Sequence, residues 1–243
     1  MSFQSPAEKY QYVNRMFARI AHRYDLMNRI MTAGQDHYWR ELLIKQAHLP
    51  PQGRFLDIAT GTGDIAFEAL RQHYQLNQVV GADFTLPMMQ VGQQRWVNIA
   101  PKMGVDSNRL SWSGADTLHL PFPDNSFHAV ASGFLMRNVT SVAGALAEQI
   151  RVCKPGGRVL VLEIPRPPDN FFGACFRLYF HHVVPMIGGL ISGQRDAYAY
   201  LPASADVFLR PEELKSEMEN AGLHHVSYTM LMFNTVALHV GIK

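Results

Sequence analysis

Only two cysteines, Cys153 and Cys175, occur among the 243 residues, and they form no CxxC pair. This argues against a disulfide scaffold or a thiolate metal centre. It predicts two buried free thiols in a reducing compartment, Cys153 on a helix and Cys175 inside an apolar stretch, with no metal site. Charge of either sign is scarce: Lys and Arg total 22 against 20 Asp and Glu, a net charge of +2, and no dense basic block occurs. The electrostatic footprint of a nucleic-acid binder is therefore missing, and nucleic acid is not an expected partner. Residues 1–9 contain neither an apolar core nor a small-residue cleavage site, so the cytoplasm is the default location. The greasiest run, Phe171 to Ile191, carries Arg177, His181, His182 and Pro185. Charge in mid-run argues against a spanning helix and leaves contact with a bilayer open.

What is present is an alternation. Residues 7–48 show helical spacing broken only at Gly34, which predicts a helical N-terminal cap over residues 1–50. From Arg54 onward, short apolar runs alternate with amphipathic stretches. Strands are expected at 54–59, 78–83, 109–114, 127–133, 158–164, 225–232 and 235–242, with helices near 63–75, 85–98, 141–153 and 211–221. The last two strands flank the short turn Phe233-Asn234 and should pair as an antiparallel hairpin. The expected fold is α/β: a doubly wound, mostly parallel, Rossmann-like seven-stranded sheet with a C-terminal antiparallel hairpin, one domain over residues 1–243. The path of 165–210 is not traceable from the sequence.

The chemistry is concentrated where the first strand ends. Phe55-Leu-Asp57-Ile-Ala59 runs into Thr60-Gly61-Thr62-Gly63-Asp64, and a helix follows at once. Glycines at such a switch allow a sharp turn and bring a ligand against bare main chain at the carboxyl end of the sheet. The pattern Gly61-x-Gly63-x-x-Ala66 also matches a dinucleotide fingerprint, so a nicotinamide-binding oxidoreductase is a rival reading. The flanking acids separate the two: Asp57 and Asp64 would repel a pyrophosphate but favour a ligand bearing an ammonium and a sulfonium, which is S-adenosylmethionine. Asp83, at the end of the second strand, is placed for ribose hydroxyls, and Asp116 with nearby main chain, after the third, for an adenine amino group.

Three blocks carry a resemblance to the ubiquinone/menaquinone biosynthesis C-methyltransferases over nearly the whole chain. They are Tyr24-Asp25-Leu26-Met27-Asn28 with Gly34 and Trp39; Leu120-Pro-Phe-Pro-Asp-Asn-Ser-Phe127 continuing to Met136-Arg137-Asn138-Val139; and Arg151-Val-Cys-Lys-Pro-Gly-Gly157 running to Leu162-Glu163. The resemblance implies that Thr62, Asp83, Asp116, Thr117 and Gly133 line the cofactor site, beside Asp57, Gly61 and Gly63 of the loop. The chain departs from the family pattern at Thr32, Asp36, Gly133, Leu135, Pro165, Ala199 and Ala203. Most of these fall on the substrate side.

The implied reaction is C-methylation of a prenylated quinol, with another small aromatic acceptor, or a non-catalytic role on the same fold, as alternatives. A phenol near pKa 10 is mostly neutral at physiological pH, so a cation that stabilises the phenolate lowers the barrier. Arg137 is the candidate, with Asn138 helping to organise the water that removes the proton, and His181 or His182 as another base. Tyr24 and Asn28 are expected to hold the other ring oxygen, with Tyr198 and Tyr200 also on the substrate side. The insertion 165–210 offers Phe172, Phe176, Phe180 and Val184 to an isoprenoid tail, to peripheral membrane contact, or to a homodimer interface.

Overall fold

A computed structural model describes residues 3–243. The cap begins where Ser5 accepts a hydrogen bond from the Glu8 amide and Pro6 opens helix α1 (Pro6–Ile20), two devices that suit a helix N-terminus. Its apolar positions Val13, Met16 and Ile20 fall on one face and are buried. A 3₁₀ turn at Ala21–Arg23 leads into α2 (Tyr24–Met31). Gly34, at φ +79°, then turns the chain into α3 (Gln35–Gln46).

Next come β1 (Arg54–Ile58), α4 (Asp64–Gln72), β2 (Gln78–Asp83), α5 (Leu86–Met103), β3 (Leu110–Gly114), β4 (Phe127–Gly133), α6 (Val142–Val152) and β5 (Cys153–Glu163). The insertion follows as α7 (Phe171–Leu178), a π turn (Tyr179–Val183), α8 (Val184–Ser192) and α9 (Arg195–Asp206), and the chain closes with α10 (Pro211–Asn220), β6 (His224–Leu231) and β7 (Val236–Ile242). The seven strands are ordered β3-β2-β1-β4-β5-β7-β6. All neighbours are parallel except β5/β7 and β6/β7. The order reverses direction between β1 and β4, and such a switch opens a crevice beyond the strand ends, where ligands bind. Two buried apolar clusters flank the sheet, and a third joins α1 and α2 to α8 and α9 through Met16, Met27, Val184 and Tyr198.

Several expectations need correction. Cys153 is the first residue of β5, not a helical residue, because the Pro155-Gly156-Gly157 turn is absorbed into the strand beside a register shift between β4 and β5. Cys175 is exposed, since α7 presents it outward, whereas Cys153 is buried. The turn of the hairpin is wider than Phe233-Asn234: Met232, Phe233 and Asn234 all have positive φ, and β7 starts only at Val236. Helical residues run on from Phe171 to Ser192, 22 residues of mean hydropathy 1.2, long and apolar enough to cross a bilayer by length and composition. One side of that run is committed elsewhere, since Phe180 and Val184 belong to the cluster shared with the cap.

Candidate active site

The glycine loop is shaped by the acids beneath it. Asp57 is fully buried; one carboxylate oxygen accepts from the Thr60 hydroxyl at 2.6 Å and the Ala66 amide at 3.2 Å, while the other has no partner. Burial pushes its pKa up to about 7, against the pull of those two donors. Asp83 receives the Gly61 amide at 2.8 Å on one oxygen and the Thr85 amide at 2.7 Å on the other. The loop is therefore tied to the end of β2 by main-chain donors. Gly61 takes φ +55° and Gly63 φ +92°, both left-handed. A Cβ on Gly63 would stand 2.7 Å from the Trp112 ring and 2.8 Å from Phe67, so that glycine is needed for packing as well as for its turn.

Two adjoining hollows lie over this loop. One is lined by Gly61, Asp83, Phe84, Met88, Gly133 and Asn138. The other is lined by Tyr10, Phe84, Asp116, Thr117, Leu135 and Asn138. Thr117 Oγ1 is buried without a partner, and Asp116 spends one oxygen on the Leu118 amide at 3.0 Å. Phe84 and Tyr10 lie with ring centroids 4.8 Å apart. The cleft thus offers carboxylates, bare main chain at Gly61 and an orphaned hydroxyl, a donor set that fits a cationic nucleoside and not a pyrophosphate.

A third cavity of about 680 Å³, counting its open mouth, has mostly apolar walls. Tyr24 and Phe134 line both this cavity and the Gly61 hollow, so the two spaces meet there. Arg137 reaches the cavity from the loop after β4; its Nη1 donates to Glu163 at the end of β5, its Nε has no partner, and its guanidinium carbon is 5.5 Å from the Phe134 ring centroid. Glu163 is itself fully buried and also accepts from the Ile164 amide. From the cap, Asn28, Thr32, Asp36, Trp39 and Arg40 complete the lining. Burial raises the Tyr24 pKa, opposed by hydrogen bonding with Asn28 and by the charges of Arg137 and Arg40.

A family model described as "ubiE/COQ5 methyltransferase family" matches residues 5–243. The chain belongs to that family. It is 45% identical over 226 residues to a demethylmenaquinone methyltransferase of Thermus thermophilus, covering 93% of this chain and 99% of that protein. It is 40% identical to a ubiquinone/menaquinone biosynthesis C-methyltransferase UbiE of Desulfotalea psychrophila, covering 95% and 90%. Among solved structures, a SAM-dependent methyltransferase of Aquifex aeolicus aligns with TM-score 0.61 at 14% identity over 90% of this chain and 97% of that one. A Haemonchus contortus phosphoethanolamine N-methyltransferase in complex with S-adenosyl-L-methionine aligns at 0.59 and 16%, over 85% and 52%. These two likenesses bear on the fold alone.

As a member of this methyltransferase family the chain is an enzyme whose methyl donor is S-adenosylmethionine. Bound, that donor supplies an electrophilic methyl group on a positively charged sulfur. Of the residues singled out from the sequence, Gly61, Asp83, Asp116, Thr117, Gly133 and Asn138 line the two adjoining hollows, and Tyr24, Asn28 and Arg137 line the third cavity. Others sit elsewhere. Asp57 lies under the loop, and Gly63 packs on Trp112. Thr62 turns its hydroxyl to Asp25 of the cap at 2.5 Å. Asn138 lines the two hollows and not the third cavity; its side-chain amide donates to the Phe134 carbonyl and its oxygen accepts from the Tyr200 hydroxyl at 3.1 Å. Tyr200 is thus a brace behind Asn138, and the Tyr12 ring packs against it at a tilt, centroids 5.5 Å apart. Tyr198 is core: its ring presses on Gly188, where a Cβ would come within 2.3 Å. His181 pairs with Asp206 at 2.7 Å on the exposed side of the π turn, and His182 is exposed too, so neither lines the cavity.

Sequence reasoning did not single out Arg40 and Phe134, which line the third cavity, or Glu163 and Lys9, which hold Arg137 and its loop, and it had Asp36 only as a departure from the family pattern. Lys9 donates to the carbonyls of Arg137 (3.2 Å) and Val139 (2.7 Å), fastening α1 to the loop that carries Arg137. Glu163 was readable in principle, as an acid ending an apolar strand one position before the chain leaves the sheet.

Proposed function

We propose that this enzyme methylates a ring carbon of a prenylated quinol such as demethylmenaquinol, the reading that the names of its relatives also support. The observation that carries it is the buried Arg137 on the wall of an apolar cavity that meets the cofactor cleft at Tyr24 and Phe134. In this reading Gly61, Asp83, Asp116, Thr117 and Gly133 hold the donor, with Asp57, Thr62 and Gly63 shaping the loop beneath it. Arg137 stabilises the phenolate formed when the hydroxyl beside the acceptor carbon loses its proton, and Glu163 fixes the guanidinium in place. Arginine is too weak an acid to shuttle that proton, which leaves through water. Phe176, Phe180, Val184 and Leu201 give the isoprenoid tail an apolar wall.

The 165–210 segment acts as a substrate-side insertion in one domain spanning 1–243. Its outer face leaves Phe172 69% and Leu190 81% exposed, along with Leu178 and Met186. That face rests on the cytoplasmic side of the membrane while a bilayer-soluble quinol enters.

The test is incubation of the enzyme with methyl-labelled donor and a reduced membrane lipid extract, set beside water-soluble phenols. Label is expected in a prenylated quinol. Label confined to a soluble phenol would overturn the reading.

A further inference from the structure

The third cavity has a second polar pole. On the cap side, opposite in origin to Arg137, Asp36 is 2% exposed and Arg40 7%. Asp36 Oδ2 accepts from Arg40 Nη1 at 2.6 Å, and its Oδ1 accepts from Thr32 Oγ1 at 3.2 Å with Arg29 Nε at 3.4 Å. Thr32, Asp36 and Arg40 all line the cavity. Arg40 also reaches Asp64 at 3.1 Å on α4, so the pair is anchored beyond its own helix. A buried ion pair is often no more stabilising than apolar side chains of similar volume. One facing an otherwise apolar hollow therefore fits a polar group that arrives with the ligand.

This inference rests on the quinol reading and deepens it. A para-dihydroxylated ring carries two oxygens on opposite sides. The one beside the acceptor carbon develops charge near Arg137. The other remains a hydroxyl, and burying it without an acceptor costs free energy. A carboxylate oxygen has lone pairs beyond those used by Arg40, Thr32 and Arg29. Trp39 and Phe134, 6.3 Å apart edge to face, supply the aromatic wall against which the ring lies.

We propose that Asp36, held by Arg40 and Thr32, accepts the hydrogen bond of the ring hydroxyl remote from the methylated carbon and so selects para-dihydroxylated rings over rings with one hydroxyl. It is a specificity determinant that a reading of the glycine loop and Arg137 alone does not include.

The experiment measures binding through tryptophan fluorescence, with Trp39 in the cavity as reporter, for two prenylated naphthalene probes. One bears both ring hydroxyls and the other lacks the remote one; methyl transfer to each is measured in parallel. The intact enzyme is expected to prefer the dihydroxylated probe by about 10- to 100-fold, the range for a hydrogen bond to a charged group. Asp36→Asn should bring that preference down to a few-fold while leaving the affinity for the other probe nearly unchanged. Because Asp36→Asn removes one of the two carboxylates that hold Arg40, the paired replacement D36L/R40L, checked by thermal unfolding, serves as a second test of the same loss. Wild-type discrimination in both variants, or an equal loss for both probes, would overturn the proposal. Loss of discrimination in binding without methyl transfer to either probe would uphold the Asp36 site and overturn the quinol reaction instead. Failure of the intact enzyme to bind either probe would overturn both.

Discussion

The acids of the glycine-loop cleft and those of the apolar cavity are held in different ways. Beneath and beside the glycine loop three carboxylates are tied to main chain: Asp57 to the Ala66 amide, Asp83 to those of Gly61 and Thr85, Asp116 to that of Leu118. Around the cavity the carboxylates are tied to arginines: Glu163 to Arg137, Asp36 to Arg40. A main-chain donor comes with the fold of the strand and its turn, so the cleft is complete once the sheet forms. Of these pairs, Arg137–Glu163 joins the loop after β4 to the end of β5, and Asp36–Arg40, though one turn apart on α3, is anchored only where other elements meet it. Arg40 of α3 reaches Asp64 of α4, and Asp25 of α2 reaches Arg95 of α5 at 2.9 Å. One half of the site is built by local sequence and the other by assembly.

Replacing Arg137 with Met strains this contrast most. It leaves Glu163 buried with no cation, which should cost about 3–5 kcal/mol of stability in urea unfolding. The double replacement with Glu163→Leu should recover most of that loss. Methyl transfer in the single variant should fall by at least about 10²-fold. Calorimetric affinity for S-adenosylhomocysteine should hold, because Arg137 lines neither cofactor hollow. Equal loss of cofactor affinity would show that the two halves are not separable.

This division also explains what could be read before the structure. The strand ends, the glycine turn, Asp83 and Asp116 follow from local patterns, and Gly61, Asp83 and Asp116 line the cleft, whereas Thr117 came with the resemblance. Arg137 and Tyr24 were legible only through the resemblance. Asp36 and Arg40 look on the sequence like a solvated i, i+4 pair of an ordinary helix, and nothing local says that α3 turns them inward. Tyr198 and His181 misled for the mirror reason. A tyrosine in an apolar helix becomes core when a glycine opposite, Gly188, admits its ring. His181, within the π turn, faces solvent and Asp206. Periodicity could not orient 165–210 because the helix changes its pitch at Tyr179–Val183.

A smaller effect is expected on the other side of the comparison, from Gly63→Ala. The left-handed φ of +92° and a Cβ 2.7 Å from Trp112 together should cost about 2–4 kcal/mol. The loss should appear in unfolding and in weaker S-adenosylhomocysteine binding, with Arg137 and Glu163 untouched. A neutral substitution would mean that the loop is looser than its packing indicates.

Asp57 gives the cleft a pH signature. Its folded pKa of about 7 lies above the ordinary carboxylate value near 4, so between those limits the folded chain keeps a proton that the unfolded chain has lost. Its contribution is therefore most favourable below pH 4, declines as pH rises towards 7, and is level above that. The slope should be about 1 kcal/mol per pH unit. Asp57→Asn should remove it. A stability profile from pH 4 to 7 that is the same in both proteins would show that Asp57 ionises freely in the fold.

The two cysteines test the comparison with the least disturbance, one in the sheet and one in the insertion. Burial pushes the Cys153 thiol up to about 11, so at pH 8 only about one molecule in a thousand carries a thiolate there, against roughly a quarter for an unperturbed thiol. Cys175 is exposed on α7. A small alkylating reagent at pH 8 should therefore modify Cys175 alone in the native protein, leave stability unchanged, and reach Cys153 only on unfolding, as peptide mass analysis would show. If modification of Cys153 kept pace with that of Cys175, the β5 start would have to open as readily as the insertion.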